Sequence, residues 1–300
     1  MTGETHTFSR GLIAGALALA LLGGLAADGA SAAKKTKIVS KTSTLSENEP
    51  PRLTVLCPKS NPAFKFPYGG GSFSTSPYEP DGGGVYPHSY ERLGVQGGYH
   101  VTPVNYDPSP ATPTARQITL QVICGPEPGK LNPPHLTAQV DPGQVKTHDI
   151  RCTGKRKLIG GGFQRTTFVG PVRGAPPSGV FATESRPVAV NVWRVSGEAF
   201  GKFGGELTGF GYCRKKGGMS TVRATTTINP GEFGTATTPP CPGRKTMVFS
   251  GWTTSPLGSI FYAGGPFNNN DTTTGGGYNR SLAQAFLTVE GYCLPVRPIL

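Results

Sequence analysis

Two seven-residue stretches decide the fold: LTGFGYC at residues 207–213 and LTVEGYC at residues 287–293, which share Leu-Thr-x-x-Gly-Tyr-Cys. A looser copy, ITLQVIC, occupies residues 118–124. Read at the two-residue period of a β-strand, each cysteine shares a face with the leucine of its stretch, whereas the threonine lies on the other face. Each stretch therefore predicts a strand whose cysteine points into a core.

A second signature follows the other cysteine of each segment. Cys152 precedes a glycine, a basic run, an apolar pair and Gly162-Phe163, and Cys241 precedes the same order ending in Gly251-Trp252. The copy after Cys57 has inserted residues and ends in GGGSF at residues 69–73. Matching signatures at both ends of three segments, with a period of about 90 residues, predict tandem repeats.

These signatures predict the disulfides and the domain boundaries. Pairing within repeats joins Cys57 to Cys124, Cys152 to Cys213 and Cys241 to Cys293, one of about 15 connectivities open to six cysteines. Each bond closes a long loop and is worth about 2 to 4 kcal/mol. We assign residues 1–33 to a signal peptide, 34–127 to the first repeat, 128–217 to the second and 218–300 to the third.

Composition predicts an all-β fold. The 44 glycines and 29 prolines interrupt helical periodicity throughout the mature chain, while short clusters of β-branched and aromatic residues recur. We expect each repeat to be a small sandwich of five or six strands, arranged as beads joined by short turns. The alternative is a three-sheet β-prism, in which the repeats share one core around a pseudo-threefold axis.

The N-terminus has the pattern of an export signal. Arg10 precedes an uncharged run over residues 11–25, which ends in small residues with a cleavage pattern near residues 30–33. The run is shorter than the roughly 20 residues that cross a bilayer as a helix. We therefore predict a secreted protein without an integral membrane segment after signal cleavage, the alternative being an uncleaved N-terminal anchor.

The charge predicts an anionic partner. The chain has 29 Lys and Arg against 17 Asp and Glu, and removing Arg10, Glu4 and Asp28 with the signal leaves 28 against 15, a net charge of +13. Such a charge attracts polyanions without sequence specificity and is screened by salt. Outside a cell the candidates are anionic envelope polymers or glycans, lipid head groups and extracellular nucleic acid; the alternative is a solubilising charge with no dedicated partner.

Two basic runs flank the middle pair of cysteines. They consist of Lys155, Arg156, Lys157, Arg214, Lys215 and Lys216. If Cys152 and Cys213 are bonded, both runs leave the same end of the repeat, because the Cα atoms of a disulfide lie about 4.4 to 6.8 Å apart. We therefore predict one exposed basic face for polyanion binding. The alternative is that strand alternation turns the six side chains to different sides.

Three tyrosines in the segment 76–95 are candidates for glycan or peptide binding: Tyr78, Tyr86 and Tyr90. Tyrosine on a rigid β scaffold offers an apolar face with a polar tip. Local loop packing is the competing explanation.

No catalytic, metal or cofactor motif is present, and the four mature histidines form no recognised constellation. We predict that the protein is not an enzyme. The alternative is an extracellular hydrolase built from loop carboxylates: Glu79, Asp81 and Glu91 share one loop, and Asp141 and Asp149 lie near one turn. We expect no specific nucleic-acid partner, because a recognition helix and interleaved aromatic and basic residues are lacking.

Taken together, the cysteine, the Gly-Gly-Gly-Phe at residues 160–163, the strand VNVWRV at residues 190–195 and the closing Thr-x-x-x-Tyr-Cys resemble repeats of uncharacterised exported actinobacterial proteins. The third repeat departs from the pattern, with Ser-Gly-Trp at residues 250–252. The resemblance implies a secreted or cell-wall-associated protein with a structural or binding role, and it brings no defined activity.

Overall fold

The structure is a computed structural model. It describes residues 36–45, 53–61, 64–74, 84–93, 97–106, 115–125, 133–165, 168–169, 178–215, 219–243, 245–268 and 271–295. Within these ranges the chain forms β-strands and turns, and the predicted all-β class is confirmed. The predicted signal peptide lies outside the described residues.

Nineteen strands are described. The first repeat contains β1 (Lys37–Leu45), β2 (Leu53–Leu56), β3 (Phe66–Ser74), β4 (Gly84–Leu93), β5 (Gly98–Tyr106) and β6 (Arg116–Gly125). The second contains β7 (His135–Val140), β8 (Val145–Arg151), β9 (Lys157–Arg165), β10 (Phe168–Val169), β11 (Ser178–Ala189), β12 (Val192–Phe200) and β13 (Gly205–Arg214). The third contains β14 (Ser220–Ile228), β15 (Phe233–Thr237), β16 (Thr246–Ser255), β17 (Ile260–Gly264), β18 (Thr274–Asn279) and β19 (Ala285–Leu294).

Every repeat has the same topology of two three-stranded antiparallel sheets. The first pairs its strands in the orders β1-β6-β3 and β2-β5-β4, the second in the orders β7-β13-β9 and β8-β12-β11, and the third in the orders β14-β19-β16 and β15-β18-β17. The short β10 pairs only with β11. The two sheets of a repeat face each other closely: a Cβ at Gly209 of β13 would lie 2.6 Å from Ile150 of β8. Each repeat is thus a small sandwich, as expected.

The sheets continue across the repeat boundaries. Strand β4 of the first repeat pairs with β9 of the second at Tyr90 and Phe163, and β11 of the second pairs with β16 of the third at Ser185 and Trp252. These pairings produce the six-stranded orders β2-β5-β4-β9-β13-β7 and β14-β19-β16-β11-β12-β8. The prediction of separate beads is therefore wrong: the repeats share a core, as in the alternative, but their strands form four sheets rather than three.

In the part of the chain that the structure describes, no strand of the third repeat forms a ladder with a strand of the first, although the two repeats touch. Strand β17 lies against β3 so closely that a side chain at Gly264 would collide with the backbone carbonyl of Ser72. The side-chain Oε1 of Gln121 in β6 accepts a hydrogen bond of 2.7 Å from the backbone amide of Phe267. The three repeats thus meet in three seams, two of which have ladder pairing.

The repeats surround a pseudo-threefold axis. The third strand of each repeat has a one-residue bulge at the same place, where Tyr68, Ile159 and Val248 stand out of register. Immediately after the bulges come Gly69, Gly160 and Phe249. Cβ atoms at both glycines would contact the Phe249 ring, at 2.7 and 3.0 Å. One aromatic ring therefore fills the space on the axis that two repeats leave open.

The other end of the axis is filled by three rings, one from each repeat. Tyr86, Phe181 and Phe261 occupy equivalent positions in β4, β11 and β17, because the bulge of each strand follows at the same distance. Ring centroids lie 4.9 Å apart for Phe181 and Phe261 and 5.6 Å apart for Tyr86 and Phe261. We name the Phe249 end the cysteine end, since β6, β13 and β19 finish there in bonded cysteines, and the three-ring end the far end.

Candidate functional site

The six cysteines form three disulfides within repeats, as predicted. Cys57 bonds Cys124, Cys152 bonds Cys213, and Cys241 bonds Cys293, with Cα separations of 5.6, 5.7 and 5.7 Å. Bonds of this kind are typical of proteins that mature in oxidising compartments. Because each joins the end of the last strand to the segment before the third strand, all three lie at the cysteine end.

The two basic runs of the middle repeat leave this end together. Lys157 begins β9 directly opposite Arg214, the last residue of β13. Lys155, Lys157 and Lys215 are exposed, and Arg156 is partly exposed. These four side chains constitute the middle basic surface. The sixth predicted cation, Lys216, lies outside the described residues.

Arg214 departs from the predicted exposed face. Its guanidinium is half-buried and hydrogen bonds to Tyr68 of the first repeat. Burial lowers the pKa of Arg214, an effect that the Tyr68 contact opposes. Because guanidinium groups remain protonated at neutral pH, Arg214 still contributes charge. Its side chain, however, is used to join the first two repeats.

The tyrosine prediction is wrong for the two described residues. Tyr86 and Tyr90 lie in strand β4 and are only 2% and 8% exposed, so neither offers a ring face to a glycan or peptide. The Tyr90 ring stacks on Tyr99 with centroids 5.2 Å apart, and burial raises the pKa of Tyr90 well above its ordinary value. Tyr78 lies outside the described residues. Within this loop-like segment, residues 84–93 form the strand β4.

A small cavity lies on the axis between these rings. It has about 30 Å³ of space for water centres and is lined by Ser72, Tyr90, Ser185, Phe249 and Trp252 among others. The buried hydroxyl of Tyr90 has no hydrogen-bond partner among the described residues. A water needs about 10 to 15 Å³ by this measure, so the cavity accommodates one or two waters and is too small for a sugar ring.

Two described carboxylates of the hydrolase alternative, Glu91 and Asp149, are engaged in ion pairs, and Asp141 lies in an exposed turn. Glu91 Oε1 lies 2.5 Å from Nε2 of His100, with both side chains largely buried. Asp149 accepts hydrogen bonds of 2.7 and 3.0 Å from Arg194, and this contact lowers the pKa of Asp149. Glu79 and Asp81 lie outside the described residues. Both carboxylates therefore pair with the residue directly opposite on the neighbouring strand.

Sequence reasoning missed a buried charged cluster at the seam between the second and third repeats. Glu184 and Glu290 are 3% and 1% exposed. Arg186 spans them, with Nε 2.7 Å from Glu184 and Nη1 3.7 Å from Glu290. Arg223 lies 2.8 Å from Glu290, and the Tyr292 hydroxyl donates a hydrogen bond to the same carboxylate. The charges of the two guanidiniums balance those of the two carboxylates. Because Arg186 belongs to the second repeat and Glu290 to the third, the cluster joins these two repeats.

No signal in a single repeat could have revealed this cluster. Glu290 occupies a variable position of Leu-Thr-x-x-Gly-Tyr-Cys, and its partner Arg186 belongs to another repeat. Strand β16 lies between the strands that carry Glu290 and Arg186, and its residue Gly251 leaves space for the Tyr292 hydroxyl. A Cβ at Gly251 would lie 2.8 Å from that hydroxyl.

The described ranges contain no helix that is long and apolar enough to cross a membrane. They also contain no group of three or more His, Cys, Asp or Glu side chains placed to hold a metal ion.

Comparison with known proteins found no matching family model and no similar sequence among curated proteins.

Proposed function

We propose that the protein is a secreted, cell-wall-associated binding protein that acts without catalysis and holds an anionic envelope polymer on its middle basic surface. The supporting observation is the opposition of Lys157 and Arg214 beside the bonded pair Cys152 and Cys213, which brings both basic runs to one end of a rigid repeat. Export rests on the N-terminal pattern and on the three disulfides.

The chemistry of these side chains suits a polymer. Lysines are mobile, strongly hydrated point charges with three donors each, and they contact phosphate or carboxylate groups without demanding one geometry. Lys155, Lys157 and Lys215 keep these charges exposed. Attraction of this type is strong at low salt and weakens when counterions screen it. The hydrolase alternative gains no support from Glu91 or Asp149, whose carboxylates are paired with His100 and Arg194.

The test compares two triple variants of the mature chain on immobilised long-chain polyphosphate and on isolated bacterial cell wall. Lys155→Gln/Lys157→Gln/Lys215→Gln removes three charges of the middle basic surface. Lys41→Gln/Lys146→Gln/Lys202→Gln removes the same charge from exposed positions elsewhere. We expect the first variant to bind about tenfold more weakly at low salt, with a difference that shrinks as salt rises, and the second to change little. Equal losses of binding in both variants would show that the attraction comes from charge spread over the whole surface and not from the middle basic surface. A wild-type protein that is not retained at all would overturn the proposal.

A further inference from the structure

Three cations occupy the same position in the three repeats. The ladder between the third and last strand of each repeat begins with Phe66 opposite Gly125, Lys157 opposite Arg214, and Thr246 opposite Leu294. The residues immediately before these ladders are Lys65, Arg156 and Lys245. Strand register therefore relates the three cations by the pseudo-threefold axis.

Their distance from the axis is limited by the strands that carry them. The three strands touch where Phe249 meets Gly69 and Gly160. Each cation precedes that meeting point by four residues. At about 3.3 Å per residue, the three Cα atoms lie no more than roughly 13 Å along the chain from the point of contact. They surround the axis at the cysteine end.

These side chains are accessible and little opposed by acids. Lys65 is exposed, and Arg156 and Lys245 are partly exposed. At the corresponding turn of the third repeat the described acid is Asp271, and its Oδ1 accepts a hydrogen bond from the backbone amide of Met247. By contrast, the described turns of the far end contain Asp141 and Glu232, both exposed. Positive charge thus predominates at the cysteine end.

We propose that Lys65, Arg156 and Lys245 form a cationic ring with one contact from each repeat, and that the ligand is an extended polyanion which crosses the axis and touches all three. This inference rests on the proposed function and names its ligand class. We expect a short anion to contact fewer cations of the ring than a polymer does, whereas a polymer that meets all three gains from the high effective concentration of its second and third contacts. Affinity should therefore rise steeply with polymer length.

The experiment uses the mature chain, with inorganic tripolyphosphate and long-chain polyphosphate as probes at low salt. Lys65→Gln/Lys245→Gln removes ring charges from the first and third repeats and leaves the middle basic surface intact. The control, Lys146→Gln/Lys202→Gln, removes the same charge elsewhere. We expect the ring variant to lose about tenfold in affinity for the long polymer, with less than about twofold change for tripolyphosphate and for the control.

The outcomes separate the two proposals. If the ring variant and the control bind the long polymer equally well while the middle-surface variant does not, the ring is wrong and the proposed function stands. If wild-type affinity is the same for tripolyphosphate and the long polymer, multipoint contact is wrong. If wild type binds neither probe nor cell wall, both proposals fail.

Discussion

The space around the pseudo-threefold axis is filled differently at the two ends of the molecule. At the cysteine end one ring, Phe249, fills the axis, and its neighbours around the axis are Gly69 and Gly160. At the far end each repeat contributes an aromatic ring, and Phe261 contacts both of the others. A space with approximate threefold symmetry can thus be filled by one large side chain or shared among three, and the shared solution tolerates the loss of one member better.

The ends also use cations differently. At the far end the Arg280 guanidinium lies 3.7 Å from the centre of the Phe200 ring and 3.0 Å from Glu198. Arg165 is buried over Phe181 and donates a 2.6 Å hydrogen bond to a backbone carbonyl, and burial lowers the pKa of Arg165 to about 9. At the cysteine end the lysines extend into solvent. At the far end arginines therefore hold repeats together, whereas at the cysteine end Arg214 does so and the charge of the lysines stays available.

The largest loss of stability should follow removal of the aromatic ring that fills the axis at the cysteine end. Phe249→Ala should destabilise the fold by about 3 to 5 kcal/mol, because the fully buried ring contacts Trp193 and leaves a cavity that flanking glycines cannot fill. Phe261→Ala should cost about half as much, since Phe261 is only partly buried and two other rings remain. Denaturant unfolding measures the loss of unfolding free energy in both variants. Equal losses would refute the distinction between an axis filled by one ring and an axis shared by three rings.

A smaller effect should follow removal of the middle disulfide. Cys152→Ser/Cys213→Ser opens a link between residues 61 apart and should lower the free energy of unfolding by about 2 to 4 kcal/mol. Because the bond also holds the two basic runs together, polyphosphate binding should weaken in the folded variant. Cys57→Ser/Cys124→Ser is the matched control, with a similar stability loss and unchanged binding. Unchanged binding in both variants would show that the bond does not organise the basic surface.

The smallest effect concerns the paired carboxylate of the far end. Burial raises the pKa of Glu198, and the Arg280 contact only partly opposes this shift. A raised pKa in the folded state means that the stabilising contribution is present at pH 4 and is lost as the pH rises through the folded pKa. Wild type should therefore exceed Glu198→Gln in melting temperature by roughly 1–2 °C more at pH 4 than at pH 7. Glu232→Gln, in a neighbouring turn, is the control, and identical pH profiles of wild type and Glu198→Gln would contradict the assignment.

The features that repeat in sequence were predictable, because each recurs at a fixed offset from a cysteine. The disulfide pairing is confirmed, and the aromatic residues that end the second signature, Phe163 and Trp252, lie in the core, where they are 3% and 4% exposed. The resemblance to exported actinobacterial repeats stays a prediction. So does the polyanion partner, since charge indicates an attraction without identifying what is attracted.

The strands hidden in glycine-rich segments were not predictable. The segment 263–280 resembles a loop, yet it contains β18, whose glycines are required by close packing: a Cβ at Gly275 would lie 2.6 Å from Val289. Glycine lowers the apparent strand propensity, and only the neighbouring side chains explain its presence. Pairing across repeats was equally hidden, because alternation shows which face of a strand is buried but not which strand lies beside it.

The contact between β17 and β3 constrains the order in which the repeats assemble, because β17 belongs to the third repeat and β3 to the first. As the chain emerges, the edge of β4 finds its partner as soon as the second repeat follows, and β11 finds its partner with the third. The edge of β3 is covered only after the third repeat, residues 218–300, has been synthesised. The first repeat is therefore synthesised first and enclosed last. A chain truncated after the second repeat would expose the edges of β3 and β11 that the third repeat covers, and such edges recruit strands from other molecules. The three described repeats thus cover one another's edges around the axis, whereas an open array leaves the edges of its terminal units uncovered.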